Sequence, residues 1–386
     1  MSESWSPVEQ TLARLVSWDT VSHRPLDAMA GWLADRAEAA GMSVERFESE
    51  PGKVNVVATA GPDTAGGLGL SGHMDVVPVD GQDWTTDPFR LTSRDGRLLG
   101  RGTCDMKGFI AASVEALATM NLSKLRRPLV LVWTHDEEVG CQGSAHLVAK
   151  MKALGRTLPK AMIVGEPTGF QVANIHPGHS SIRIACSGRP AHSSRPSLGL
   201  SAITLAAEVL GVLDGLAEDL KQTRAFEDVL PSPFTVMNVA RISGGEAINI
   251  VPAQCVIEVG FRPLPGVRFG TIRASLMERL APAIQRARYQ GGDITVADIQ
   301  RSEGLCTAPD AGHAHLLHSH ATTDDLIGVP FATDAGNLAE LDCHPLIFGP
   351  GSIDVAHRAD EWLDRSDLAR TVDIVQDLVY RRCIAA

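Results

Sequence analysis

Residues of metal-ligating type follow several short apolar segments of this 386-residue chain. Residues 129–134 (LVLVWT) form an apolar, partly β-branched run that predicts a buried strand, and the carboxylates Asp136, Glu137 and Glu138 follow it closely. Adjacent carboxylates repel one another, and their burial is costly unless cations compensate the charge. On its own, this stretch would be better interpreted as a solvated acidic turn. Metal binding becomes the better interpretation because four other segments also end in ligand residue types.

His73 and Asp75 lie two residues apart at the end of another predicted strand, residues 68–72. Their side chains are therefore expected to leave the strand on the same side. A histidine ligand usually needs a partner on its other ring nitrogen, and Asp75 is placed to orient His73 in this way. The spacing alone is a weak signal, because it occurs by chance in many chains.

Asp105, Glu166 and His357 are the remaining candidate ligands, and each has an ordinary alternative role. Asp105 enters a predicted helix and could be its N-cap. Glu166 precedes a proline, which favours an extended conformation, and could lie in a surface turn. His357 could be a surface histidine, although it follows a glycine loop containing Gly351 that would let the backbone approach a ligand closely.

Taken together, these residues predict a site for two divalent ions. Three carboxylates and two histidines suit borderline ions such as Zn²⁺ or Co²⁺. A bridging carboxylate would hold the ions about 3.5–4 Å apart, as in two-metal hydrolases. In extended backbone Glu137 and Glu138 would point apart, so that one binds metal and the other moves protons. Four histidines between residues 313 and 320 are not assigned to a site, because helical spacing puts only some of them on one face.

The elements that position these residues form two patterns along the chain. Up to residue 178, strands alternate with helices, which predicts an α/β layered sheet. The order β-α-β-β-α-β then predicts an inserted ferredoxin-like domain over residues 179–303. The α/β pattern resumes afterwards, with a helix expected near residues 311–323 and a strand at 329–333. We therefore predict a discontinuous catalytic domain made of residues 1–178 and 304–386.

Net charge, apolar run lengths and cysteine spacing argue against several other classes of function. The chain has a formal net charge of −11 and contains no basic run, which disfavours nucleic-acid binding. No apolar run approaches the length of a membrane span, and the first residues lack the features of a signal peptide. The seven cysteines contain no CxxC pair, which indicates reduced thiols in a cytosolic protein.

Five motifs in order carry a resemblance to a known family: GHMDVVP at 72–78, GRGTCDMKG at 100–108, DEEVG at 136–140, GEPT at 165–168 and AHRADE at 356–361. With them the chain resembles the di-zinc aminoacylase/carboxypeptidase (M20-type metallopeptidase) family over nearly its whole length. The length, the GPGSI stretch at 349–353 and the DMKG motif are most similar to the acetylornithine deacetylase branch. The resemblance implies a catalytic domain with a mixed central sheet and helices on both faces.

The resemblance also implies two metal sites that share one carboxylate: His73, Asp105 and Glu166 for the first ion, and Asp105, Glu138 and His357 for the second. Asp75 would orient His73, and Glu137 would be the general base. The cofactors would be two Zn²⁺ or Co²⁺ ions in each subunit.

The same resemblance assigns the inserted domain to lid closure and homodimerisation. His192, in the GRPAHS stretch at 188–193, would reach the partner's metals and stabilise the oxyanion. Asn249 and Arg262 would contact the substrate, and we add Gly351 to these substrate-binding residues. The expected substrate is an N-acyl amino acid, with N-acetyl-L-ornithine first. The alternative substrates are N-succinyl-diaminopimelate, N-acetylcitrulline, another N-acyl amino acid or a dipeptide. The alternative from a different functional class is a catalytically silent binding protein, which should have lost a metal ligand or the general base.

Overall fold

The computed structural model describes residues 5–309, 311 and 313–385. The helices are α1 (Pro7–Val16), α2 (Asp27–Ala39), α3 (Gly108–Ala118), α4 (Gln142–Ala153), α5 (Ala202–Leu220), α6 (Phe269–Tyr289), α7 (His315–His318), α8 (Asp334–Leu338) and α9 (Arg365–Val379). Shorter helical segments are Thr103–Lys107, Leu122–Lys124, Pro196–Leu198, Ala339–Leu341 and Tyr380–Ile384.

The strands are β1 (Ser43–Glu50), β2 (Lys53–Ala60), β3 (Leu68–His73), β4 (Thr92–Arg94), β5 (Arg97–Leu99), β6 (Leu129–Thr134), β7 (Ala161–Val164), β8 (Ala173–His176), β9 (His179–Ser187), β10 (Val236–Gly244), β11 (Gln254–Arg262), β12 (Asp293–Ser302), β13 (Leu305–Cys306), β14 (Ile327–Gly328), β15 (His344–Ile347) and β16 (Trp362–Asp364).

The chain divides into two compact units. The first comprises Met1–Ile175, Leu305–Gly328 and Thr333–Ala386, and the second comprises His176–Gly304 and Val329–Ala332. Residues 176–178, 304 and 329–332 thus group with the second unit, although the sequence analysis places them in the predicted catalytic domain. The catalytic, lid and dimerisation roles of the predicted domains stay predictions.

The first unit is built on a mixed sheet in the order β1-β2-β6-β3-β7-β15-β8-β13, with β14 beside β8. β3 is parallel to both β6 and β7, whereas β2 pairs with β6 in antiparallel orientation. Every residue of β6 is buried, as expected of a strand covered on both faces. Leu129, Leu131 and Trp133 belong to the core that also includes residues of α1, α2, α3 and α9. The intervening Val130 and Val132 are buried on the opposite face.

The second unit is a four-stranded antiparallel sheet in the order β10-β11-β9-β12, with helices α5 and α6. Alternate residues of β9 and β11, such as Ile184 and Ile257, are buried with Leu213 and Leu276 of the helices in one core. This order of strands is that of a ferredoxin-like two-layer unit. The predicted fold class, an α/β unit with a mixed sheet and an inserted ferredoxin-like unit, is therefore confirmed.

Two local predictions between residues 311 and 333 are wrong. The expected helix is reduced to α7, four residues long, and residue 312 lies outside the described part of the chain. The expected strand at 329–333 is replaced by the two-residue strand β14, which ends before residue 329. Pro330 explains the shift, because proline cannot donate to a ladder. Among the described residues, no helix is long and apolar enough to cross a membrane.

Candidate metal centre

Three parallel strands of the first unit bring candidate ligands to one edge of the sheet. In the pairing register His73 lies opposite Thr134, and Ser71 lies opposite Val164. β3, β6 and β7 therefore end side by side. Asp75, Glu137 with Glu138, and Glu166 come shortly after the ends of these strands, as the sequence predicts for a shared strand edge.

The imidazole of His73 is oriented by the backbone. Its Nδ1 atom lies 3.0 Å from the backbone carbonyl oxygen of Asp75 and 3.7 Å from Oδ1 of the same residue. A carbonyl oxygen only accepts, so Nδ1 carries the proton and donates. The Nε2 atom then faces carboxylates, at 3.0 Å from Oδ1 of Asp105 and 4.0 Å from Oε1 of Glu166. A ring nitrogen that needs a cation or a proton thus points at the cluster.

His357 approaches Asp105 from the other side. Its Nε2 atom lies 3.2 Å from Oδ2 of Asp105 and 3.1 Å from Oε2 of Glu138. The two oxygens of Asp105 therefore face two different histidines, which is the arrangement required of a carboxylate that bridges two ions. His73, Asp105 and Glu138 each offer one ligand atom within 4.8 Å of the others.

Asp75 fixes the loop that carries the two glutamates. Its carboxylate accepts the backbone N–H groups of Glu137 and Glu138, at 3.0 and 3.2 Å, and the hydroxyl of Ser22 at 2.7 Å. The prediction of an extended backbone at Glu137 and Glu138 is wrong. This segment is a turn, closed by a hydrogen bond from Gly140 N to Glu137 O at 2.9 Å. The turn still separates the two side chains: Glu138 contacts His357, whereas Oε1 of Glu137 accepts from the thiol of Cys141 at 3.4 Å.

Glu166 follows β7 and its side chain is buried. Its Oε1 atom has no hydrogen-bond partner among the described residues. Buried carboxylate oxygens are normally paired, so this atom identifies a position where a cation or a polar ligand belongs.

The pKa directions in the cluster are those of a buried site with too little positive charge. Burial and the Asp105 carboxylate raise the pKa of Glu166 well above its usual value, and they raise the pKa of Glu138 to about 7. Burial and the Glu166 carboxylate likewise raise the pKa of Glu137. Burial alone would lower the pKa of His73, but the hydrogen bond with Asp105 and the charge of Glu166 raise it.

His357 and Asp105 complete this electrostatic description. Hydrogen bonds with Asp105 and Glu138 raise the pKa of His357 to about 10. Burial would raise the pKa of Asp105, but the hydrogen bonds with His357 and His73 hold it below its usual range. Together with the Glu166 oxygen that lacks a hydrogen bond, the imidazole nitrogens and carboxylate oxygens fit borderline divalent ions such as Zn²⁺ or Co²⁺.

Three further buried residues border the cluster, and the sequence analysis gave them no function. Glu361 accepts the backbone N–H of Asp105 at 3.1 Å, and its position in the AHRADE motif was the available signal. Asp334 accepts from the hydroxyl of Thr134, and its Oδ1 atom lacks a partner among the described residues. Lys107 donates to the carbonyl of Trp18 at 3.0 Å, and burial lowers its pKa to about 7.

Gly351, a predicted substrate-binding residue, lies in the first unit. Its φ of +78° and the 2.5 Å that would separate an added Cβ from Sγ of Cys104 both require glycine. The carbonyl of Gly351 accepts the N–H of Gly169 at 2.6 Å. The glycine therefore lets the loop before His357 lie directly against the Asp105 segment.

His192, Asn249 and Arg262 lie in the second unit. His192 is exposed and forms an antiparallel bridge with Ile250, and Ser193 N donates to Asn249 O at 3.0 Å. His192 and Asn249 are thus neighbours in the fold although they are far apart in sequence. Arg262 is the last residue of β11 and is half-buried.

The family description Peptidase family M20/M25/M40 matches residues 69–381. This range contains all five candidate ligands, from His73 to His357. The chain belongs to this family. The predicted family resemblance is thereby confirmed, and the chain is a hydrolase of the metal-dependent, amide-cleaving M20 type.

Relatives of this M20 chain include two enzymes named acetylornithine deacetylase. The protein from Myxococcus xanthus is 36% identical over 389 aligned residues, which cover 99% of each chain. The protein from Pectobacterium atrosepticum is 35% identical over 374 residues, which cover 95% of the M20 chain and 92% of the relative.

Solved structures of the M20 family share the fold. A metallo-carboxypeptidase from Sulfolobus solfataricus gives a TM-score of 0.75 at 17% identity, covering 97% of this chain and 99% of that one. A tripeptidase from Staphylococcus aureus gives a TM-score of 0.72 at 20% identity, covering 97% of both chains. At these identities the likeness supports the common fold of the M20 proteins and carries no information about the substrate.

Proposed function

We propose that the chain hydrolyses the amide bond of an N-acyl amino acid, with N-acetyl-L-ornithine as substrate and L-ornithine and acetate as products. The observation that carries the proposal is the position of Asp105, whose carboxylate oxygens lie 3.0 and 3.2 Å from the Nε2 atoms of His73 and His357. The choice of substrate is supported by the two acetylornithine deacetylases, which align with this chain over nearly all of their length.

The proposed metal ligands fall into two sets that share one residue: His73, Asp105 and Glu166 for the first ion, and Asp105, Glu138 and His357 for the second. The oxygen of Glu166 that lacks a hydrogen bond and the contact of His357 with both Asp105 and Glu138 support this division. Zn²⁺ or Co²⁺ held there would supply Lewis acidity, which makes a water molecule more acidic and polarises an acyl oxygen.

Glu137 is the proposed general base. It lies in the same turn as Glu138, its Oε1 atom accepts from the thiol of Cys141, and Asp75 accepts its backbone N–H. Glu137 would take the proton of the attacking water and return it to the leaving amine, as a positioned carboxylate can do when its pKa lies near the working pH. Buried surroundings are the usual means of adjusting such a pKa.

The second unit is the proposed lid and dimerisation module. The assignment of His192 to oxyanion stabilisation in the partner subunit, and of Asn249, Arg262 and Gly351 to substrate contacts, is supported by the family resemblance of their motifs. The neighbouring positions of His192 and Asn249 are compatible with a joint role.

A substrate panel tests the proposed activity. The panel contains N-acetyl-L-ornithine, N-succinyl-diaminopimelate, N-acetylcitrulline, other N-acyl amino acids and dipeptides. Purified protein loaded with Zn²⁺ or Co²⁺ should have a higher kcat/KM for N-acetyl-L-ornithine than for any other compound of the panel. Protein treated with a chelator is the control and should be inactive. A higher kcat/KM for another member of the panel would replace the substrate, and two bound ions without any amide hydrolysis would favour a silent binding protein.

The proposed action of His192 across a dimer has its own test. His192→Ala and Glu137→Ala, both expected to be inactive, are mixed under conditions shown to exchange subunits. If His192 acts in the partner, a mixed dimer has one site with both defects and one site with neither, so activity returns. No recovery despite demonstrated exchange would refute the action in trans and leave the metal ligands unaffected.

A further inference from the structure

Glu361 lies beneath the Asp105 segment with its side chain 1% exposed. Its Oε1 atom accepts the backbone N–H groups of Cys104 and Asp105, at 2.9 and 3.1 Å. Its Oε2 atom accepts the N–H of Gly102 at 3.0 Å and Nη1 of Arg101 at 2.7 Å. One carboxylate therefore satisfies three backbone amides of a single short segment and a buried guanidinium.

Local backbone geometry explains why this segment needs a side-chain acceptor. Gly102 has a φ of +82°, and Asp105 and Met106 have non-helical angles. Backbone amides in such a segment have no regular ladder to join, and leaving them buried without an acceptor is unfavourable. Strand pairing places the Glu361 carboxylate next to these amides. Trp362 of β16 lies opposite Leu99 of the antiparallel strand β5, so Glu361, one residue earlier, lies beside the residues that follow β5.

The same network reaches the second ligand-bearing loop. Arg101 is 1% exposed and donates to Oε1 of Gln82 and to the carbonyl oxygen of Arg358, the latter at 3.3 Å. Nε2 of Gln82 in turn donates to the carbonyl oxygen of His357 at 2.9 Å. An unbroken chain of hydrogen bonds thus connects the backbone of Asp105 to the backbone of His357 through Glu361, Arg101 and Gln82.

We propose that Glu361 is a positioning residue that, with Arg101 and Gln82, sets the separation of Asp105 and His357 and thereby the affinity of the second ion. The inference rests on the metal ligands proposed above and adds a residue that touches neither ion. Glutamine is a poor substitute at this position. Each oxygen of Glu361 accepts from two donors, so an amide NH₂ in place of either oxygen would face two N–H groups.

Co²⁺ binding to metal-free protein tests this proposal. The wild-type chain is titrated with Co²⁺ in competition with a chelator, with visible absorbance and elemental analysis as readouts. Glu361→Gln should weaken binding of the second ion by about 10–100-fold, the usual effect of losing a group that supports metal ligands. Binding of the first ion, which shares Asp105 but not His357, should weaken less. The variant's loss of activity should be reversed by excess Co²⁺, which a purely structural defect would not show.

Glu9→Gln is the matched control. Glu9 is also buried, pairs with Arg365 and accepts a backbone N–H from Ser6 at 2.8 Å, but none of these partners is a proposed ligand. This variant should bind both Co²⁺ ions with wild-type affinity even if its melting temperature falls. An equal loss of Co²⁺ affinity in Glu9→Gln and Glu361→Gln would overturn the positioning role.

Gln82→Ala keeps the proposal testable if Glu361→Gln does not fold. Gln82 is only half-buried, and its truncation removes the connection between Arg101 and His357 while the bonds of Glu361 remain. Weakened binding of one ion supports the proposal. Unchanged affinity for both ions, in folded Glu361→Gln or in Gln82→Ala, overturns it. A wild-type chain that binds no Co²⁺ would instead refute the metal sites themselves, so the two failures are distinguishable.

Discussion

The ligands at strand ends and the ligands in loops are held by different interactions. His73 and Glu166 end or directly follow β3 and β7, whose pairing register places them at one sheet edge. Asp105 and His357 lie in irregular segments, and their backbones are bonded to the side chains of Glu361 and Gln82. The first pair depends on the sheet, whereas the second pair depends on a few buried polar groups.

This difference matters because the two kinds of support fail differently. A ladder shares its hydrogen bonds among many backbone groups, so one substituted side chain hardly alters the register. A buried polar network concentrates the support in single side chains, and losing one leaves its partners unsatisfied. Substitutions outside the ligand set should therefore disturb the loop ligands more than the strand-end ligands.

The largest effect is expected for Asp105→Ala, because this carboxylate is the proposed member of both metal sites. Elemental analysis should find reduced occupancy at both metal sites, and activity should be abolished. Glu166→Ala is the matched comparison: it removes a ligand of equal charge that serves one ion, so the second ion should remain. Two fully occupied sites in Asp105→Ala would show that this residue does not bridge.

Glu137→Gln should come next in size. The substitution removes the proposed base but no ligand, so both ions should bind while kcat falls by about 10²–10⁴-fold, the usual contribution of a general base. Glu138→Gln is the neighbouring control and should weaken one ion instead. Near-normal turnover in Glu137→Gln would contradict its role, whereas loss of metal there would exchange the roles of the two glutamates.

Much of the site could be predicted from the sequence where the ligands follow strands. The apolar runs before His73, Glu137 and Glu166 predict buried strands, and parallel strands that end together bring their following residues together. The inserted ferredoxin-like unit could also be predicted, because the order of its elements and the alternation in β9 were both visible.

The remaining features depend on contacts between residues distant in sequence. The partnership of Glu361 with Gly102, Cys104 and Asp105 joins residues more than 250 positions apart, and the AHRADE motif that contains Glu361 does not indicate these partners. The turn at Glu137 was missed because Asp136 adopts a φ of +51° that its neighbours did not indicate. The bonds from Asp75 to the Glu137 and Glu138 amides belong to that turn and were missed with it.

The smallest expected effect, that of Asp75→Asn, separates two explanations for Asp75. In the structure the carbonyl of Asp75 orients His73, while its carboxylate holds the amides of Glu137 and Glu138 and the hydroxyl of Ser22. Asparagine keeps the backbone carbonyl that orients His73, so His73 should stay in place. Its side-chain NH₂ would face N–H donors where the carboxylate had an acceptor, so the turn that carries Glu137 and Glu138 should shift.

We expect Asp75→Asn to lower kcat by about 10–100-fold, in line with other groups that support metal-site residues, and to retain the first ion. Elemental analysis and steady-state kinetics measure both effects. Ser22→Ala is the control, because it removes only the hydroxyl donor and leaves both amide bonds, and its kcat should stay close to that of the wild type. If Asp75→Asn instead releases the first ion and keeps the second, then the carboxylate orients His73, as the sequence spacing predicts, and the strand-end ligands would depend on single side chains as much as the loop ligands do.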